Sequence, residues 1–184
     1  MKETIRAGRT ELRPVGEKDK EKLLAMLMDE RVSATYMVPP LDTAEARDAL
    51  FRRFRELSVD ESRFVYGIFL GDELIGMIHD VGVDDGTVEL GYFIDPERQR
   101  RGYAREALSA SIRALFAAGF SRVRAGAFED NAASLRVMEN CGMRRIDEEE
   151  LVCYRGAEHR CVFREIAAPE GSRKNTEDVI GNEA

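Results

Sequence analysis

The spacing of hydrophobic residues changes several times along the chain, and each change predicts an element. Glu11-Leu12-Arg13-Pro14-Val15 alternates briefly and is then broken by proline, which predicts a short first strand. Over residues 18–29, Leu23, Leu24, Met26, Leu27 and Met28 gather on one side at helical spacing. Residues 31–41 show no period, with Tyr36-Met37-Val38 standing before Pro39-Pro40. Thr43-Ala44-Glu45-Ala46 has a capping pattern with alanine in the acidic place, and it leads a helix over residues 43–57. Residues 63–70 alternate Phe64, Tyr66 and Ile68 against Val65, Gly67 and Phe69, and Gly71-Asp72 turns the chain into a returning strand at 73–83. Asp84-Asp85-Gly86 turns it again into a strand at 87–94, completing a three-stranded meander.

After Asp95-Pro96 and a basic loop the period becomes helical. Ala104, Ala107, Leu108, Ser111, Leu115 and Ala118 share one side of a helix that opens at Tyr103 and ends at Gly119. A short strand at 122–128, a helix at 131–140 carrying Leu135, Val137 and Met138, and a strand pair at 146–154 and 159–166 joined through Arg155-Gly156 complete the pattern. The order predicts an α+β fold: a mixed, mostly antiparallel central sheet of six to seven strands flanked by about four helices. Its one parallel pair belongs to the strand–helix–strand unit at 87–128, because parallel neighbours need a crossover. One domain is predicted over residues 1–167, followed by a polar, mobile tail at 168–184.

Composition narrows the function classes. A net charge of −7 on 184 residues argues against a nucleic-acid partner, which calls for a basic face. No apolar run is long enough to span a membrane, and the N-terminus has no signal-peptide core, so the reading is a cytoplasmic protein. Three cysteines without a C-x-x-C pair and two histidines give neither a metal signature nor a disulfide framework.

The chemistry concentrates between Val88 and Tyr103. A strand runs into a short loop, Gln99-Arg100-Arg101-Gly102, and then into a helix start. Such a start offers free backbone N–H groups and the positive end of the helix dipole, which suits a phosphate or pyrophosphate. Arg98, Arg100 and Arg101 stand beside it, either as phosphate partners or as solvated surface charges.

Gln99-Arg100-Arg101-Gly102-Tyr103-Ala104 resembles the Q/R-x-x-G-x-G/A motif of the GNAT acetyltransferase superfamily. The segment from Asn131 through Ser134 and Glu139 to Gly142-Met143 is similar to N-x-x-S-x-x-x-x-E-K-x-G-F of its ribosomal-protein N-terminal acetyltransferase (RimJ/RimL-like) branch, with Asn140 for Lys and Met143 for Phe. Thr10-Glu11-Leu12-Arg13-Pro14 resembles that branch's opening, so the likeness covers about residues 10–166.

The resemblance implies a GNAT fold and acetyl-CoA as acetyl donor. It places the pyrophosphate on amides around Arg100, Arg101, Gly102, Tyr103 and Ala104, with Gln99 opening the loop, and the pantetheine arm against main-chain groups at Phe93 and Ile94. Asn131 would hydrogen-bond that arm, with Asp130 able to cap the helix, or would itself be the helix cap, and Ser134 would line the same end or satisfy the helix start. Acetyl transfer to an amine needs a proton acceptor and donors for the developing oxyanion. Glu89 takes the base role where several GNAT families carry a glutamate, against the alternative of a structural carboxylate. The helix after Asn131 holds no tyrosine to serve as general acid, and Tyr154 reads as a packing residue. Cys141 reads as a small buried hydrophobe, and His79 and His159 as strand histidines. The implied acceptor is a small-molecule or peptide amine lying against residues 31–41 and the helix at 43–57, and a homodimer stays open. A non-catalytic acyl-CoA-binding sensor is the rival class.

Overall fold

A computed structural model describes residues 2–169. The elements in chain order are β1 (Ile5–Ala7), β2 (Thr10–Arg13), α1 (Lys20–Met28), α2 (Glu30–Ser33), α3 (Ala44–Val59), β3 (Val65–Leu70), β4 (Glu73–Asp84) and β5 (Thr87–Ile94), followed by α4 (Tyr103–Ala117), β6 (Arg122–Phe128), α5 (Ala132–Asn140), β7 (Arg144–Tyr154) and β8 (Ala157–Ala167). The strands form one eight-stranded sheet in the order β1-β2-β3-β4-β5-β6-β8-β7, antiparallel throughout except where β5 runs parallel to β6.

The α+β class, the meander and the parallel pair agree with the sequence reading. Among the described residues the sheet has one strand more than the six to seven expected, and there are five α-helices rather than about four. The extra strand is β1, which turns through Gly8-Arg9 to pair with β2. Three residues are too few to show a period, so only the ladder reveals it. The extra helix is the single turn α2, capped by Asp29 accepting from Arg31 N. Thr43 caps α3 as read, accepting from Ala46 N at 3.1 Å. Of the tail assigned to 168–184, residues 170–184 lie outside the described residues.

Helices cover both faces, which is why β3 is buried along nearly its whole length. On one face Leu12, Ile68, Ile78, Leu90 and Ile94 pack against Ala107, Leu108 and Leu115 of α4. On the other, Val65, Phe69, Met77 and Phe93 pack against Leu23, Met26 and Leu27 of α1 and Phe51 of α3. Each fully buried leucine here contributes about 1.5–3 kcal/mol relative to exposure. Where β6 meets β8, a Cβ added to Gly126 would lie 2.7 Å from the Phe163 ring. Gly126→Ala is therefore expected to cost about 1–3 kcal/mol through a displaced ring, read as a shift in the urea midpoint.

Candidate active site

The site begins where two strands part. The parallel ladder between β5 and β6 holds only three residue pairs, Thr87 with Arg122, Val88 with Val123 and Glu89 with Arg124. Beyond it, residues 90–94 and 125–128 have no partner across the gap. Antiparallel strands bond at alternate residues, and Asp95 N–H donates to Ile75 O on the β4 side at 2.8 Å. The odd-numbered residues of this stretch of β5 thus use their main chain toward β4, whereas Tyr92 and Ile94 turn theirs into the gap.

This sorts two of the residues assigned to the pantetheine arm. Ile94 lies with its main chain on the gap side, and its carbonyl accepts from Gln99 Nε2 at 3.0 Å. Phe93 has its main chain committed to Met77 of β4. What Phe93 offers is a buried ring 4.8 Å from Tyr36. Tyr92, overlooked in the sequence, has the free main-chain groups instead.

Glu89 stands at the fork itself, on the face shared with Gly91 and Phe93. Arg124 Nε donates to Glu89 Oε2 at 2.8 Å, Arg124 Nη2 lies 2.8 Å from the same oxygen as an ion pair, and Arg124 Nη1 donates to Glu148 at 2.7 Å. Burial works against the Arg124 charge, but Glu89 and Glu148 outweigh it, and the guanidinium is held above its ordinary value. Glu89 Oε1 takes no part in this pair and remains available as an acceptor.

At the far end of β5 the chain turns into the loop that opens α4. Asp95 caps a turn at Pro96–Arg98 by accepting from Glu97 N at 2.9 Å. Its other oxygen accepts from Lys22 of α1. Burial alone would raise the Asp95 carboxyl, yet Lys22 and the Glu97 amide hold it below its usual value. A carboxyl held low stabilises the fold above its unfolded pKa of about 3.9, and that contribution fades as pH falls through the folded value. Asp95→Asn is expected to cost about 1.5–3 kcal/mol at pH 7, with the gap to wild type in urea titrations closing in acid.

Arg100 at φ +61° and Gly102 at φ +87° both lie in the left-handed region, and this double reversal bends the loop over the start of α4. The first helical bond runs from Glu106 N–H to Gly102 O at 3.1 Å, and among the described residues no amide from 100 to 105 donates within the protein. These free N–H groups at the positive end of a fifteen-residue helix fit a pyrophosphate. Tyr103 is buried beneath them and Ala104 packs against the core. Of the flanking arginines, Arg98 is committed to Glu73 at 2.6 Å. Arg100 and Arg101 are exposed, without ion pairs among the described residues.

The other wall is the start of α5. Asn131, not Asp130, is the helix cap, its Oδ1 accepting from Ser134 N–H at 3.1 Å. Capping uses one side-chain atom and leaves the Asn131 amide NH₂ for another partner. Ser134 Oγ meets the Tyr92 hydroxyl at 2.9 Å, bridging the gap from β5 to α5. Burial pushes the Tyr92 hydroxyl well above its ordinary value, so it stays protonated.

On the Glu89 face, β4 contributes His79 directly opposite Gly91. Its Nδ1 bonds the Asp80 carbonyl at 3.0 Å and therefore carries the proton. Its Nε2 is then the acceptor for the Tyr36 hydroxyl at 2.5 Å. Phe54 and Phe93 wall the pair, and burial pushes the imidazole below its ordinary value, leaving it neutral at pH 7. Tyr154 does more than pack: its hydroxyl donates to Ser33 O at 2.7 Å and accepts from Val38 N–H at 3.3 Å. It thereby ties β7 to the 31–41 segment. No sequence signal pointed to these partners, because Tyr36, His79 and Tyr154 lie on separate elements. Neither the half-buried Cys141 nor the buried Cys161 suits nucleophilic catalysis. Burial raises Cys141, and burial together with Glu89 and Glu150 pushes Cys161 up to about 11.

Comparison with known proteins agrees with this geometry. The family model described as an acetyltransferase (GNAT) domain matches residues 9–144. The N-acetyltransferase YoaA of Bacillus subtilis (strain 168) is 30% identical over 146 residues, 77% of this chain and 82% of that protein. Among solved structures, a GNAT-family acetyltransferase from Bacillus anthracis superposes with a TM-score of 0.75 at 24% identity, covering 90% of this chain and 98% of that one. RimL, a ribosomal L7/L12 alpha-N-protein acetyltransferase in complex with coenzyme A, gives 0.74 at 18% identity over 90% and 98%. Among the described residues no helix is long and apolar enough to cross a membrane. A strand pair that opens beside a cup of free amides, in a chain matched to this family over most of its length, makes the protein a member of the GNAT acetyltransferase family and an acetyl-CoA-dependent acetyltransferase.

Proposed function

We propose that the enzyme transfers acetyl from acetyl-CoA to a primary amine by direct attack in a ternary complex, as in the RimJ/RimL-like branch. The carrying observation is that Glu89 sits at the last paired position before β5 and β6 diverge. A donor lying in the gap would have its reactive end beside this carboxylate. Acetyl-CoA supplies an activated thioester. The amides of residues 100–105 hold its pyrophosphate, and the main chain of Tyr92 and Ile94 pairs with its amide-bearing arm. The Asn131 NH₂ reaches the same arm, and the Ser134 and Tyr92 hydroxyls line its inner end.

The amine approaches from the opposite face, between the 31–41 segment and β7. Glu89 Oε1 receives its proton while Arg124 holds the carboxylate in place. A second reading is favoured by one contact: Glu89 Oε2 is committed to the Arg124 guanidinium, which leaves one carboxylate oxygen for the incoming amine. The neutral His79, reached through the Tyr36 hydroxyl, lies diagonally across the ladder as the other proton acceptor. The acceptor is a protein N-terminus or a small amine. An acetyl-CoA turnover screen over amines and short peptides, read by thiol release, tests the proposal; silence across the panel despite tight CoA binding would favour an acyl-CoA sensor instead.

A further inference from the structure

The cup has an anchor outside the loop. Arg9, in the turn between β1 and β2, donates from its main-chain N–H to Glu106 Oε2 at 2.8 Å and from Nε to Glu106 Oε1 at 2.9 Å. Its Nη2 bonds the same Oε1 and also the main-chain carbonyl of Arg101, at 2.6 Å. The guanidinium lies 4.7 Å from the Tyr103 ring centroid, so both ends of the α4 start are touched by one side chain.

The contact with the Arg101 carbonyl has a geometric consequence. In a trans peptide the C=O and the following N–H point in opposite directions. Holding the Arg101 carbonyl toward Arg9 therefore turns the Gly102 N–H away from it, to the cup side. Glycine is the one residue that accepts either sign of φ at little cost, so the 101–102 peptide could otherwise flip. Glu106 raises a second problem, since a carboxylate one turn into α4 opposes an anion at the helix start. Burial would raise its pKa, but Arg9 holds it low, and the paired charge is neutralised on the spot.

We propose that Arg9 is a positioning residue for the pyrophosphate, selecting the peptide orientation that presents the Gly102 amide and cancelling the Glu106 charge. This rests on the reading of the 100–105 amides as the pyrophosphate site. Arg9 acts through the loop, so its removal affects only donors that carry the pyrophosphate.

The test compares acetyl-CoA with S-acetyl-pantetheine, which lacks pyrophosphate and nucleotide, in wild type, Arg9→Met and Glu106→Gln. Arg9→Met is expected to raise the acetyl-CoA KM about tenfold or more, the scale of losing one charge-assisted bond. Its kcat and its kcat/KM with S-acetyl-pantetheine stay within about twofold of wild type. Glu106→Gln is expected to keep the acetyl-CoA KM within about twofold, because Arg9 still reaches the Arg101 carbonyl and the opposing carboxylate is gone. Equal losses with both donors in Arg9→Met would reduce Arg9 to a structural anchor and overturn the proposal. So would an unchanged acetyl-CoA KM, or a Glu106→Gln loss as large as that of Arg9→Met. Should Arg9→Met fail to fold, the Glu106→Gln arm and an Arg9→Lys variant decide. Lysine keeps the charge but cannot bond carbonyl and carboxylate as a fork, so it should raise the acetyl-CoA KM alone. If wild type uses both donors equally well, the pyrophosphate reading itself fails, and that is seen before any variant is made.

Discussion

Replacing Glu89 by glutamine is expected to lower kcat about 10²–10⁴-fold, the usual contribution of a positioned general base, while the acetyl-CoA KM stays within about twofold. The substitution keeps the side chain's shape and one acceptor oxygen toward Arg124, which also retains Glu148. What it removes is the ability to take a proton from an incoming ammonium. The pH profile supplies a second reading, because the acidic limb of kcat/KM reports the free enzyme's essential base. Tyr36→Phe and His79→Gln form the comparison. They break the other proton acceptor on the same face and, with Glu89 as base, are expected to change kcat by less than about tenfold. Unchanged turnover in Glu89→Gln with collapse in both of the others would move the base role to His79. His79 also makes a separate stability statement. Its imidazole is held below its ordinary value, so the unfolded chain binds its proton first as pH falls below about 6.5. Stability is thus expected to decline from there downward, and His79→Gln to remove that part of the slope.

Gly102→Val is expected to weaken CoA binding between about tenfold and hundredfold, measured by calorimetry, with less effect on kcat at saturation. Space is not the obstacle, since a Cβ at this position would sit 3.5 Å from the nearest atom, Arg9 Nη2. The obstacle is φ, which at +87° suits glycine and strains a β-branched residue. The loop can relieve that strain by turning the 101–102 peptide, which swings the Gly102 N–H out of the cup. Wild-type affinity in this variant would mean that the Gly102 amide is not among the phosphate donors.

Most of the framework was legible along the chain. Strand alternation, the Gly71-Asp72 and Arg155-Gly156 turns and the helical stripe from Ala104 to Leu115 each depend on neighbours a few residues apart. The loop at the start of α4 was legible for the same reason, because a glycine at a helix start is a local feature. Side-chain commitments were not. Asn131 proved to be the cap, because its Oδ1 reaches the Ser134 amide. Arg98 stood open as a phosphate partner or a surface charge until β4 brought Glu73 to it, and Phe93 looked like a main-chain partner until the ladder assigned its groups to Met77.

The sequence by itself therefore determined the order of elements, the faces of the strands and the glycine-bearing loop before α4, all set by periodicity and turn chemistry that act over a few residues. Only the tertiary structure decided that β5 and β6 part just after Glu89. It alone brought Arg124 to Glu89 across 35 residues, Glu106 to Arg9 across 97 and Ser33 to Tyr154 across 121. Those pairings follow from the order in which strands join the sheet, and no local pattern encodes that order.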